Sequence, residues 1–132
     1  MRALYCMLIL AFGTLSCQQK QPQKQSQAKA SVITFDQLME QVIGKEVQLI
    51  DLRTDDEYKA GFIDDAIQMN FLEKETFIQQ IETLDKSKPV YVYCHSGGRS
   101  GRATKLLKEK GFLQIFDYSG GYSEWSVKSK KE

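Results

Sequence analysis

The stretch Tyr91-Val92-Tyr93-Cys94-His95-Ser96-Gly97-Gly98-Arg99-Ser100-Gly101-Arg102 sets a potential nucleophile just ahead of small residues and basic side chains. An apolar run ends in a cysteine, small and polar residues follow, and Arg99 opens a helical pattern. That order predicts a strand, a tight loop and a helix N-terminus. A loop so placed turns several backbone N–H groups into one concavity, where the helix dipole adds partial positive charge. A thiol at its mouth ionises more readily than a free one, because those donors and Arg99 stabilise the thiolate. Gly97 and Gly98 permit the positive φ and the close backbone approach that a bound anion needs. The chemistry that follows is nucleophilic attack by Cys94, with the backbone from His95 through Ser96, Gly97, Gly98 and Arg99 to Ser100 as an anion cradle. Arg102, one turn further on, is placed to meet an anionic donor. His95, the sole histidine, lies beside Cys94. Adjacent residues diverge in direction, so it is expected at the rim rather than as a base. One histidine and one cysteine cannot supply the four ligands of a structural zinc site, so neither metal nor cofactor is expected.

The flanking pattern supplies elements that could hold such a loop. Thr34 with Gln37, and Thr54 with Glu57, have capping-box spacing and each opens a helix. Phe35, Leu38, Met39, Val42 and Ile43 recur at helical spacing, and Gly44 ends that segment. Glu73 to Leu84, Ser100 to Lys110 and Tyr122 to Val127 read as further helices. Strands are expected at Val32-Ile33, Val47 to Asp51, Ala66 to Met69, Val90 to Tyr93 and Gln114 to Tyr118. Strands alternating with helices predict an α/β fold, a central parallel sheet with helices on both faces. In such sheets ligands sit outside the carboxyl ends of the strands. Cys94, Asp51 and Gly120-Gly121 all fall at such ends.

The loop Cys-His-Ser-Gly-Gly-Arg-Ser resembles the active-site loop of the rhodanese family, sulfurtransferases that carry sulfur as a cysteine persulfide. Leu49-Ile50-Asp51-Leu52-Arg53, Glu57-Tyr58 and Gly61-Phe62-Ile63 are similar to the family's early signature, and Ser119-Gly120-Gly121-Tyr122-Ser123-Glu124-Trp125 to its closing element. The resemblance implies a single rhodanese-like domain over residues 32–129. It also implies two half-reactions: Cys94 takes a sulfane sulfur from a small donor such as thiosulfate, and a thiol or cyanide then removes it. Arg99 either stabilises the developing charge or pins the loop to neighbouring carboxylates. Asp51 and Arg53 are implied to be structural, with Glu57 in the same ion network. Cys94 to Arg99 is Cys-x4-Arg, whereas cysteine phosphatases use a loop one residue longer, wide enough for a tetrahedral phosphate. The alternatives to a turning-over sulfurtransferase are a rhodanese-fold binding or sulfur-carrier module and a cysteine phosphatase. Phe62 stands where the family usually has histidine, Asp65 where glycine is common, and no proline follows Asn70.

The amino terminus reads differently. Met1-Arg2 followed by the apolar run Ala3 to Phe12 resembles a secretory signal, too short for the roughly 20 residues of a spanning helix. Ser16-Cys17 resembles a bacterial lipoprotein cleavage site, although Leu15 sits one place closer to the cysteine than the usual leucine. Residues 1–16 are therefore expected to be a signal peptide, and 17–31, rich in Gln and Lys, a flexible tether with a lipid on Cys17. The expected location is the periplasmic side of the cell envelope. Gln18 is not the aspartate that commonly retains lipoproteins at the inner membrane, so the outer membrane is favoured. Loss of Cys6 with the signal and acylation of Cys17 leave Cys94 as the sole thiol, which argues against a dithiol mechanism. A net charge of +1 gives no electrostatic case for nucleic acid, and at 132 residues the chain is expected to be one domain working as a monomer.

Overall fold

The computed structural model describes residues 27–131. Elements alternate along it: β1 (Lys29–Val32), α1 (Phe35–Gln41), β2 (Gln48–Asp51), α2 (Asp55–Lys59), β3 (Ile67–Gln68), α3 (Lys74–Ile81), β4 (Val90–Tyr93), α4 (Gly98–Glu109), β5 (Gln114–Tyr118) and α5 (Gly121–Lys128). The strands form one five-stranded sheet in the order β1-β5-β4-β2-β3, and every pairing is parallel. This is the expected α/β architecture.

Local chemistry starts the short helices. Thr34 accepts from the Gln37 amide while the Gln37 side chain accepts from Thr34, and Thr54 and Glu57 repeat the arrangement at α2. Both capping boxes satisfy amides that a first helical turn leaves without partners. The sheet then separates two cores. Phe77, Ile81, Ala103 and Leu107 of α3 and α4 pack on Ile50, Val90, Val92 and Ile115. Phe35, Leu38 and Val42, with Tyr122 and Trp125 of α5, pack on Leu49, Tyr91, Tyr93 and Tyr118 of the opposite face. All residues of β4 are buried, as its central place requires.

Some boundaries differ from expectation. The first strand begins at Lys29, inside the expected tether of 17–31 and ahead of the expected domain start at 32. Its pairing is made by backbone groups from Lys29↔Gln114 to Val32↔Asp117, so the polar composition of Lys29-Ala30-Ser31 does not prevent it. The third helix ends at Ile81 rather than Leu84, because Glu82, Thr83 and Leu84 each donate to the carbonyl three residues back. Cys6, Cys17 and the rest of the expected signal and proximal tether lie outside the described residues.

One buried polar cluster locks the carboxyl ends of β2 and β4 together. Arg53 donates from Nε and Nη2 to Asp51 at 2.6–3.1 Å, and from Nη2 to the Gly61 carbonyl at 2.7 Å. Tyr93 donates to Asp51 Oδ2 at 2.5 Å and accepts from the Ile63 amide at 3.0 Å. Burial, followed by the Asp51 charge, pushes the Tyr93 hydroxyl well above its ordinary pKa, so it stays a donor. A buried ion pair is tolerable only when its remaining hydrogen-bonding capacity is met, and here Tyr93 of β4 and the Gly61 carbonyl after α2 meet it. Tyr93→Phe removes one donor and one acceptor from this cluster. It is expected to cost about 1–3 kcal/mol, read as a lower urea midpoint with an unchanged slope.

Candidate active site

Cys94 follows β4 directly and is buried. The next turn is made possible by Gly97, whose φ of +97° is left-handed and aims its amide back at the sulfur, 3.1 Å from Sγ. A Cβ at Gly97 would meet the Ser119 carbonyl at 2.8 Å, so a side chain is excluded on two grounds. Helix α4 then begins at Gly98, with Gly101 donating to the Gly97 carbonyl. Its first turn sets the fully buried Ser100 hydroxyl 3.7 Å from Sγ.

A second turn holds the loop from the other side. Tyr122 and Ser123 donate their amides to the carbonyls of Cys94 and His95 at 2.9 and 3.0 Å. Gly121, at φ +63°, allows this approach, since a Cβ there would stand 2.5 Å from the His95 oxygen and 2.6 Å from that of Cys94. Arg53 lies over the Tyr122 ring, 4.0 Å from its centroid, and ties this turn to the buried cluster below.

Burial alone pushes the Cys94 thiol up. Hydrogen bonds from the amide and hydroxyl of Ser100 and from the amides of Gly97 and Ser96 outweigh it, and the thiol ends below its ordinary pKa. Fixed donors thus favour the anionic form of a sulfur kept out of water, which suits nucleophilic attack and the stabilisation of charge on an atom added to that sulfur.

Of the two roles open to Arg99, pinning has its carboxylate partner in the structure, and the Arg99 charge also acts on the Cys94 sulfur. Its guanidinium makes a bidentate pair with Glu57 at 2.7 and 2.8 Å, and Glu57 also accepts from the Thr54 amide and hydroxyl at 2.9 and 3.0 Å. Glu57 thus does not join Asp51 and Arg53 as expected; it clamps the cysteine loop to the cap of α2. The Arg99 hydrogen bond leads the forces that bring Glu57 down to about 2.

The remaining loop residues divide by exposure. His95, Ser96 and Gly98 are exposed at the rim. Arg102 is also exposed; its Nε is 3.4 Å from the Gly98 carbonyl and its guanidinium lies over the Phe71 ring. Lys74 shares that ring at 3.6 Å, a second exposed cation beside Arg102 that sequence spacing did not single out. Trp125 packs on Phe35 at 5.8 Å between centroids, a core contact as expected. Sequence reading also passed over Asp117, a buried carboxyl on β5; an acidic residue inside an apolar strand was the available signal.

Fold and loop together define an α/β domain with one buried cysteine set among amide donors at the end of a parallel strand. Residues 34–128 match the family model described as rhodanese-like domain. The chain is 32% identical over 93 residues to a thiosulfate sulfurtransferase GlpE of Shewanella oneidensis, covering 70% of this chain and 89% of that one. It is 36% identical over 98 residues to a putative mitochondrial thiosulfate sulfurtransferase of Schizosaccharomyces pombe, covering 67% and 69%. A solved rhodanese-related protein of Thermoplasma volcanium superposes with a TM-score of 0.64 at 28% identity, covering 74% of this chain and 91% of that one. The chain belongs to the rhodanese-like domain family.

Because Glu57 is depressed in the folded state, its pairing with Arg99 contributes fully above the ordinary carboxylate value of 4.5 and fades as pH falls towards about 2. Glu57→Gln is expected to lower stability by about 1 kcal/mol at neutral pH. In urea titrations the gap from wild type should close across that acid window, and a gap that widens there instead would contradict the clamp.

Proposed function

We propose that this protein is a sulfurtransferase of the thiosulfate type, working through a Cys94 persulfide. The single observation that carries the reading is the buried Cys94 sulfur facing the Gly97 amide at 3.1 Å, inside a loop of Cys-x4-Arg length. The relatives named as thiosulfate sulfurtransferases support it. In the first half-reaction the Cys94 thiolate attacks the outer sulfur of thiosulfate. A bond forms between Sγ and that sulfur, the donor's sulfur–sulfur bond breaks, and sulfite leaves with the electron pair. In the second, a thiolate or cyanide attacks the terminal sulfur and Cys94 leaves as thiolate. Amides of Ser96, Gly97 and Ser100 stabilise the anion at both stages, and dividing one transfer into two displacements is covalent catalysis. Arg99 contributes by holding the loop. Arg102 and Lys74 supply positive charge where an anionic donor approaches.

Wild-type protein given thiosulfate should gain the mass of one sulfur and release thiocyanate on addition of cyanide. Cys94→Ser should do neither; thiocyanate release that survives this substitution refutes the persulfide route. A generic aryl phosphate is the control for phosphatase chemistry and should be left intact.

We further propose that the domain works at the periplasmic side of the cell envelope, held by a lipid on Cys17, most naturally at the outer membrane. The signal-like residues 1–16 and the glutamine-rich tether support this. Mass spectrometry of the native protein should find Cys17 acylated at a new amino terminus. Cys17→Ser should move the protein from the membrane to the soluble fraction, and an unprocessed, soluble wild type would overturn the assignment.

A further inference from the structure

Two cations from different helices converge on one aromatic ring. The Lys74 Nζ lies 3.6 Å and the Arg102 guanidinium 5.6 Å from the centroid of Phe71. Lys74 opens α3, and Arg102 lies near the start of α4. Both are exposed, and among the described residues neither belongs to an ion pair. The nearest acids are spoken for or turned away. Glu73 accepts from the Asn70 side chain at 3.2 Å, and Glu75, adjacent to Lys74 on α3, does not face it. Like charges around one ring repel, and its π-face offsets only part of that cost. A carboxylate lying between them relieves the rest, and the Arg102 fork matches its shape.

Backbone hydrogen bonds fix where this ring stands relative to the nucleophile. Leu52 donates to the Tyr93 carbonyl at 2.9 Å, and Phe71 donates to the Leu52 carbonyl at 3.1 Å. Phe71 is therefore two strand places from Cys94 at the same end of the sheet, about 10 Å away by strand spacing. Both side chains belong to the core beneath α3 and α4, so ring and sulfur share a face. Arg102 reaches towards the loop, its Nε 3.4 Å from the Gly98 carbonyl. Thiosulfate carries its charge on the atom bonded to its reacting sulfur, so it does not span this separation. A molecule that meets the loop with its sulfur and these cations with its charge holds the two several bonds apart.

We propose that Lys74 and Arg102, set around Phe71, form a specificity subsite for the sulfur acceptor, a small thiol bearing a carboxylate several bonds from its sulfur. It rests on the persulfide reading of Cys94, whose acceptor class it names. The acceptor thiolate attacks the terminal sulfur and a new sulfur–sulfur bond forms. The persulfide bond breaks, and Cys94 leaves as thiolate. The carboxylate stays on the two cations throughout, so the subsite lowers the acceptor KM and leaves kcat unchanged.

Protein loaded with thiosulfate and freed of excess is discharged by ω-mercaptohexanoate, by ω-mercaptohexanol and by mercaptopropionate, compared at equal thiolate concentration. Wild type should discharge several-fold faster to the long acid than to the long alcohol or the short acid, and added salt should shrink that lead. Lys74→Gln and Arg102→Gln should each abolish the preference through KM, and Lys74→Arg should retain it. Lys108→Gln makes the same charge change at an exposed site further along α4 and should keep the wild-type ratio. The ratio is taken within each variant, so altered loading or folding cancels. Equal rates for the long acid and long alcohol in wild type overturn the proposal. So does a preference that survives Lys74→Gln, or one that Lys108→Gln loses equally. A second measurement needs no persulfide: alkylation of Cys94 by bromoacetamidobutyrate and by its methyl ester. The acid should react several-fold faster, and Lys74→Gln should remove its lead. That lead in a protein that never forms a persulfide sinks sulfur transfer and keeps the subsite. A persulfide that forms readily, with no lead in either assay, sinks the subsite alone.

Discussion

A sulfur anion shut away from water survives only where fixed donors replace the water it has lost. Much of this domain's architecture follows from that requirement at Cys94. Side chains alone could not meet it, because long donors cost entropy to immobilise and would crowd the space an incoming sulfur needs. Backbone amides meet it without either cost once the chain turns sharply enough. The left-handed Gly97 and the immediate start of α4 make that turn, and the helix terminus lends its unpaired N–H groups to the same point.

A loop of small residues has few contacts of its own, so its shape is imposed by neighbours. Glu57 and Arg99 brace it from one side, and the amides of Tyr122 and Ser123 from another. Beneath, Asp51, Arg53 and Tyr93 join the strand that ends in Cys94 to its neighbour. Such buried polar groups add little net stability against an apolar packing of equal volume. Their benefit here is geometric, since each bond has one satisfactory arrangement and the arrangements agree. Donors held in one arrangement are the condition under which oriented dipoles stabilise charge most strongly.

Exposed and buried charge therefore do different things in one small domain. Arg102 and Lys74 stand in solvent around Phe71. Arg53 and Arg99 are committed to carboxylates and act on shape. Two arginines three positions apart, Arg99 and Arg102, thus fall into opposite classes, and their residue type does not distinguish them.

Legibility follows the distance over which an interaction acts. Both capping boxes could be read from spacing because each closes within one helical turn. The cysteine loop was equally readable, since strand, glycines and helix start are consecutive. The start of β1 was not, because Lys29-Ala30-Ser31 joins the sheet through main-chain pairing with a strand some 85 residues away, and side chains carry no mark of it. Glu57 meets Arg99, and Asp51 meets Tyr93, across 42 residues; local pattern reported helix and strand for these residues and nothing of their partners. The sequence by itself determined the cysteine at the strand end, the amide-bearing loop and the alternation of strands and helices, because these depend on neighbours along the chain. Only the tertiary structure decided that Arg99 pairs with Glu57, that Glu57 thereby braces the loop, and that the carboxyl of Asp117 is buried in the central part of the sheet. Those outcomes depend on which distant residues the parallel sheet brings within a few ångströms, a matter of register and packing that no local spacing encodes.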